Sequence, residues 1–174
     1  VRVIGYKDES KLHAQTEKIF KSGYATTLDE MVLYIDSLLP HSEVIHDALR
    51  VSESLYPQET LREILANAII HQMLNRSSGN IFVEIFTDRL EITNPGTLLP
   101  SIKIDQLINA YPQSRNEIFA QEMRMLGFCE ERGSGITRAI TAIEFYGLPP
   151  LDFYESSGAF KAIIYAPKTF RQMT

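Results

Sequence analysis

The chain has 174 residues, 44% of them hydrophobic and 22% charged, which is enough for one domain around one core of ordinary size. Seventeen Lys and Arg against 22 Asp and Glu leave a net charge of −5, which excludes a basic module that grips nucleic acid through clustered phosphate contacts. The single cysteine, Cys129, excludes an internal disulfide and a multi-thiolate zinc site, and no apolar run approaches the roughly 20 residues of a membrane-spanning helix.

The chain begins at Val1 rather than Met, so it is expected to be a piece of a longer protein. The span 1–174 is read as one domain, with residues 1–25 as an N-terminal extension from a preceding domain. Val1–Tyr6 alternates weakly and reads as an edge strand; Glu17–Phe20 is a second short extended stretch. Thr27-Leu-Asp-Glu30 has the form of a capping box. It opens a helix carrying Met31, Leu33, Ile35, Leu38 and Leu39, stopped by Pro40. Glu43–Leu55 alternates imperfectly and reads as one or two strands.

Pro57 suits the first turn of a helix, where a missing amide costs nothing, and that helix is expected to run to about Leu74. Ile81–Phe86 and Arg89–Thr93 read as a hairpin around Thr87-Asp88, broken by Asn94-Pro95-Gly96. Leu98–Pro112 reads as loop with a short helix. Asn116–Leu126 reads as a helix closed by Gly127. Another runs from about Ile136 to Tyr146, ahead of Gly147. Asp152–Tyr154 and Phe160–Tyr165 make a last hairpin around Ser156-Ser157-Gly158. The sum is an α+β domain, a two-layer sandwich of one mostly antiparallel sheet with helices on one face.

Four segments carry candidate chemistry. At about 100° per residue, Leu61, Ile64, Leu65, Ala68 and Ile69 form one stripe of the Pro57 helix. Glu63, Asn67 and His71, spaced i, i+4 and i+8, form a polar stripe beside it. The Glu suits orienting or deprotonating a water, and the Asn oxygen suits a hard cation such as Mg2+. The same spacing also describes a solvated helix face. Glu91-Ile-Thr-Asn94-Pro-Gly96 ends a strand where a side chain can reach a pocket mouth, or simply makes a turn. Arg132-Gly133-Ser134-Gly135 lets the backbone approach an anion at a helix start, with Ser134 as a candidate N-cap; a plain capped loop has the same form. Arg115, in Gln113-Ser-Arg-Asn116, reaches toward a phosphate or carboxylate, or solvates the start of its helix.

The order of these segments resembles the Bergerat fold of the GHKL group, which includes gyrase B, Hsp90, histidine kinases and MutL. The strings YPQETLREILANAIIH, RLEITNPG, SRNEIFAQEMRMLGFCEERGSGI and GLPPLDF are similar to the C-terminal domain of bacterial transcriptional regulators labelled as RecG-related, ATP-dependent DNA helicase C-terminal domains. That resemblance spans about Tyr56 to the C-terminus. It implies ATP with Mg2+: Glu63 activating water, Asn67 holding the metal and phosphates, and Gly133 and Gly135 closing over phosphates. It gives the adenine-reading place, an Asp elsewhere in the group, to Asn94, or to Thr93 if the register slips by one. The family continues its helix with His-Arg-Asp-Tyr, where this chain has His71-Gln-Met-Leu74.

In such proteins an AlbA-like, Schlafen-related DNA-binding domain comes first. The resemblance therefore implies a cytoplasmic regulator that meets DNA through a domain outside this chain, takes a nucleotide or small effector, and pairs as a homodimer. Hydrolysis of ATP, a catalytically inactive dimerisation or effector-sensing module, and nucleic-acid processing stay open as activities. The last lacks a Gly-x-x-x-x-Gly-Lys-Ser/Thr phosphate loop.

Overall fold

The computed structural model describes residues 1–46, 49–75, 79–109, 113–129 and 133–167. Six strands form one sheet: β1 (Arg2–Tyr6), β2 (Ala14–Ile19), β5 (Phe82–Ile85), β6 (Arg89–Pro95), β7 (Asp152–Ser156) and β8 (Ala159–Tyr165). The order is β2-β1-β5-β6-β8-β7. Only the β1–β5 pairing is parallel, and the chain between those two strands carries α1 (Tyr24–Leu38), α2 (Gln58–His71) and a separate two-stranded ribbon of β3 (His41–His46) and β4 (Leu49–Ser54). A 3-10 turn (Ile104–Asn109), α3 (Glu117–Met125) and α4 (Gly135–Phe145) lie between β6 and β7. This is the expected α+β sandwich.

The core lies between the sheet and the helices. Leu61, Leu65 and Ile69 of α2 are fully buried with Val3, Val83, Leu90 and Ile92 of the strands, and with Leu28, Met31 and Ile35 of α1. Ala139 and Ile143 of α4 complete the layer. The apolar stripe expected on α2 is therefore the buried one. Both later helices end in the glycine geometry their sequences announce. Gly127 (φ +75°) and Gly147 (φ +66°) take left-handed backbone, and the residue after each returns an amide to the helix: Phe128 to the Met123 carbonyl at 2.9 Å, Leu148 to that of Ile143 at 3.1 Å.

Several boundaries differ from the sequence reading, each for a physical reason. Val1–Tyr6 is an inner strand, not an edge, because Ala14–Ile19 returns to pair on its far side. Thr27 does not cap α1. The helix starts a turn earlier, where Tyr24 packs on Phe119 and donates to Gln72, and the Thr27 hydroxyl donates back to the Gly23 carbonyl at 3.0 Å. α2 stops at His71 rather than near Leu74. Beyond it the Met73 amide donates to the Pro95 carbonyl at 2.7 Å, and the Asn116 side chain donates to the carbonyls of Ile70 and Gln72 at 2.8 and 2.7 Å. β6 runs through Asn94 and Pro95, paired with Phe160 and Ala159, so Asn94 sits inside the strand.

The outer face of the sheet carries a charge cluster. Glu84 and Glu91 lie directly opposite each other on β5 and β6, and both are buried. Such like-charged pairs are unfavourable unless compensated. Lys11 and the Tyr6 hydroxyl donate to Glu84 at 2.6 and 3.1 Å, and Arg89 and Lys161 donate to Glu91 at 2.7 and 2.5 Å. Burial alone would raise the Glu91 pKa; the hydrogen bonds from Lys161 and Arg89 and their charges hold it below the ordinary value.

Candidate functional site

A cavity of about 200 Å3 opens between α2, the end of β6, the α3 segment and the start of α4. Its polar wall includes Glu63, Asn67 and His71 along α2, Asn94 and Gly96 from β6 and the turn after it, and Arg115. Gly133 and Gly135 close it from the start of α4. Polar-wall and glycine residues separated by up to 72 positions in sequence, Glu63 to Gly135, thus share one concavity. Ser134 occupies the N-cap position of α4, but its side chain makes no cap bond to the first turn, and it is not part of the wall. Arg132 lies outside the described residues. The apolar wall comes from Ile64, Ala68, Ile92 and Ile136, and from Phe153 and Phe160, whose rings stack with centroids 5.9 Å apart.

Each polar group has a defined setting. The Asn67 side-chain nitrogen donates to the Glu63 carbonyl at 2.7 Å, which turns its oxygen to acceptor work elsewhere. Asn94 is buried, its nitrogen donating to the Pro95 carbonyl at 3.3 Å. Among the described residues nothing donates to either amide oxygen. Gly96 has φ +98°, and a Cβ there would meet the Arg115 guanidinium at 3.1 Å and Met73 at 3.2 Å, so any other residue is strained there. Arg115 donates to the Thr97 carbonyl and so borders the turn. Burial and then the Arg115 charge hold the His71 pKa below its ordinary value, which keeps the ring neutral at neutral pH. Burial pushes the Cys129 thiol up, so it is no reactive thiolate.

Glu63 is set differently from a solvated helix residue. It is buried, and Arg138 of α4 donates to its carboxylate. Arg138 also lies 3.7 Å from Glu59, one turn earlier on α2. The carboxylate rests against Gly135, where a Cβ would collide with it. Sequence reasoning missed Arg138, although its i+3 spacing from Gly135 turns it to the same side of the helix. It also missed Phe153 and Phe160, which alternate with outward residues on two ordinary-looking strands.

A mixed sheet of this order, helices on one face and a cavity at the start of a glycine-led helix fit a GHKL-like fold. The family model described as "Putative ATP-dependent DNA helicase recG C-terminal" matches residues 78–164, half of the chain, and the chain belongs to that family. The match includes Asn94, Gly96, Arg115, Gly133 and Gly135 and begins after α2, so Glu63, Asn67 and His71 lie outside it. The crystal structure of the DIP2311 protein from Corynebacterium diphtheriae is similar in fold, with a TM-score of 0.85 at 18% identity over 95% of this chain. This chain spans about a third (34%) of that one. No curated protein matches the chain.

Proposed function

We propose that the cavity binds ATP carried with Mg2+, and that the domain is the nucleotide-responsive part of a bacterial transcriptional regulator. The observation that carries this reading is the meeting of Glu63, Asn67, Asn94, Gly96, Gly133 and Gly135 in one cavity. In this reading the adenine lies between the apolar wall and Asn94, whose carboxamide oxygen accepts from the amino group. A carboxamide can also donate, which suits the adjacent ring nitrogen. The phosphates lie toward Gly133 and Gly135, at the positive end of α4.

The donor set fits a metal that arrives with the nucleotide. Among the described residues no group of three or more His, Cys, Asp or Glu stands together as a metal site. Mg2+ ordinarily takes most of its ligands from phosphates and water. The Asn67 oxygen would supply one protein ligand, and the metal would neutralise phosphate charge. Glu63 is the group positioned to orient a water.

DNA contact is assigned to a domain outside this chain, in keeping with the net charge of −5. The same reading makes the protein cytoplasmic and dimeric. Among the described residues no helix is long and apolar enough to cross a membrane. The Arg138–Glu63 ion pair favours a second reading, a nucleotide sensor with little turnover, because the guanidinium already engages the carboxylate that hydrolysis would need at the water.

Calorimetric titration of ATP with Mg2+ into the purified protein tests the first reading, with phosphate release followed on the same sample. Saturable binding with a one-to-one ratio is expected. No heat at millimolar ATP would overturn it and leave a structural or effector-sensing module. Binding without phosphate release selects the sensor.

A further inference from the structure

We propose that Arg115 faces the base rather than the phosphates: its planar guanidinium stacks on the second ring of a purine held at Asn94, and so selects purine over pyrimidine nucleotides. This deepens the nucleotide reading and rests on it.

The cavity runs along α2 and has two different ends. At one, Gly135 lies against the Glu63 carboxylate with Asn67 beside it. At the other, Gly96 lies against both Arg115 and Met73, two residues past the end of α2. Asn94 belongs to this second end, because its nitrogen donates to the Pro95 carbonyl at 3.3 Å and the Met73 amide donates to the same carbonyl at 2.7 Å. Glu63 and His71 are two helical turns apart on α2, about 12 Å at the usual rise per residue. That is more than a Debye length in physiological salt, so a cation at the Asn94 end adds little to phosphates at the Gly135 end.

Two arginines line the cavity, and they are set differently. Arg124 donates to Glu117 at 2.9 Å. Arg115 donates to the Thr97 carbonyl, a neutral acceptor, and among the described residues it pairs with no carboxylate. The missing side chain of Gly96 leaves room for the guanidinium against the turn. A planar cation pinned by a carbonyl, with its charge not neutralised and an apolar wall nearby, suits the face of a π system.

Asn94 alone leaves part of the base unread. Its oxygen accepts from an amino group and its remaining N–H donates to the neighbouring ring nitrogen. Adenine and cytosine both present that pair of groups, so the carboxamide does not separate them. The difference is the second ring of the purine, which extends beyond the edge that Asn94 holds. Arg115, fixed at the turn that follows Asn94, covers that ring.

The test is titration of ATP and CTP, each with Mg2+, and of adenosine and inorganic tripolyphosphate into the wild type, Arg115→Ala and Arg115→Lys, with melting curves as the folding control. The wild type should prefer ATP to CTP by about tenfold, the scale of a partly desolvated cation–π contact. Arg115→Ala should weaken ATP and adenosine by about tenfold and leave CTP and tripolyphosphate within about twofold. Arg115→Lys keeps the charge without the plane and should recover only part of the loss.

Equal affinity of the wild type for ATP and CTP overturns the proposal whatever the variants do, and leaves the nucleotide reading standing. So does an Arg115→Ala protein that melts normally and binds ATP and adenosine as the wild type does. If tripolyphosphate weakens with ATP while adenosine is unchanged, Arg115 is a phosphate group and the assignment is wrong. Full recovery by Arg115→Lys also contradicts it, because charge alone would then suffice. If no nucleotide binds the wild type, the nucleotide reading fails and takes this assignment with it.

Discussion

On the outer face of the sheet, Glu84 and Glu91 oppose each other across two strands, and four donors fill their oxygens. On the inner face, at the cavity, Glu63 is buried just as deeply but meets a guanidinium from a neighbouring helix and a glycine that leaves it room. Beside it the oxygens of Asn67 and Asn94 are left as acceptors. Burial of charge is common to both places and marks neither as a site. The outer cluster is a closed ledger of donors and acceptors, which rigidifies the sheet. The inner one combines concavity with acceptor capacity to spare, which is what a ligand can use.

The largest expected effect comes from adding a fourth buried carboxylate, this one with no cation beside it. Leu65 is fully buried in the α2 stripe, and Leu65→Asp should cost about 4 kcal/mol or more, read as loss of the cooperative unfolding transition at moderate denaturant. An unchanged melting temperature would break the packing account. Next, replacing both Arg89 and Lys161 by Met strips Glu91 of its cations and should cost about 3–5 kcal/mol. Glu91→Gln should cost less, because it removes the charge that needs them.

The same cluster sets an acid limit. The Glu91 pKa is lower folded than unfolded, so its contribution is full above the ordinary carboxylate range and is lost as pH falls through the folded value. Denaturation curves below about pH 4.3 should therefore flatten in Glu91→Gln relative to wild type.

Gly96→Ala is expected to cost about 1–3 kcal/mol, since alanine must hold a left-handed φ and press on Arg115 and Met73. Urea denaturation of the variant measures it. The smallest effect belongs to His71. Its folded pKa lies below the unfolded one, so the native state disfavours the proton: stability is full above the ordinary histidine range and falls as pH drops through and below it. His71→Gln should remove that slope between about pH 6.5 and 5 while leaving stability at pH 8 unaltered.

The α2 stripe and the β5–β6 hairpin were legible because each is a local periodicity: Leu61, Leu65 and Ile69 recur at helical spacing, and Thr87-Asp88 sits between two alternating runs. The site was legible as an order of short motifs, none of them decisive alone, and they meet in one cavity because the sheet and α2 bring them there. What escaped depended on distant partners. Val1–Tyr6 has the same alternation whether inner or edge; its place is fixed by strands at residues 14–19 and 82–85. The end of α2 is set by Asn116, 45 positions beyond His71, through bonds that helix propensity does not encode. Arg138 looks like an ordinary surface residue of a helix until Glu63 is placed opposite it.

The central claim is that the inner face, and not the outer one, takes a nucleotide. Backbone amide shifts of the isotope-labelled protein, followed during titration with ATP and Mg2+, test it most directly. The account predicts shifts that saturate together at Glu63, Asn67, Asn94, Gly96 and Gly135, with Glu84, Glu91 and their cations still. Shifts centred on the Glu84–Glu91 face, or none at any amide at millimolar ATP, would contradict it.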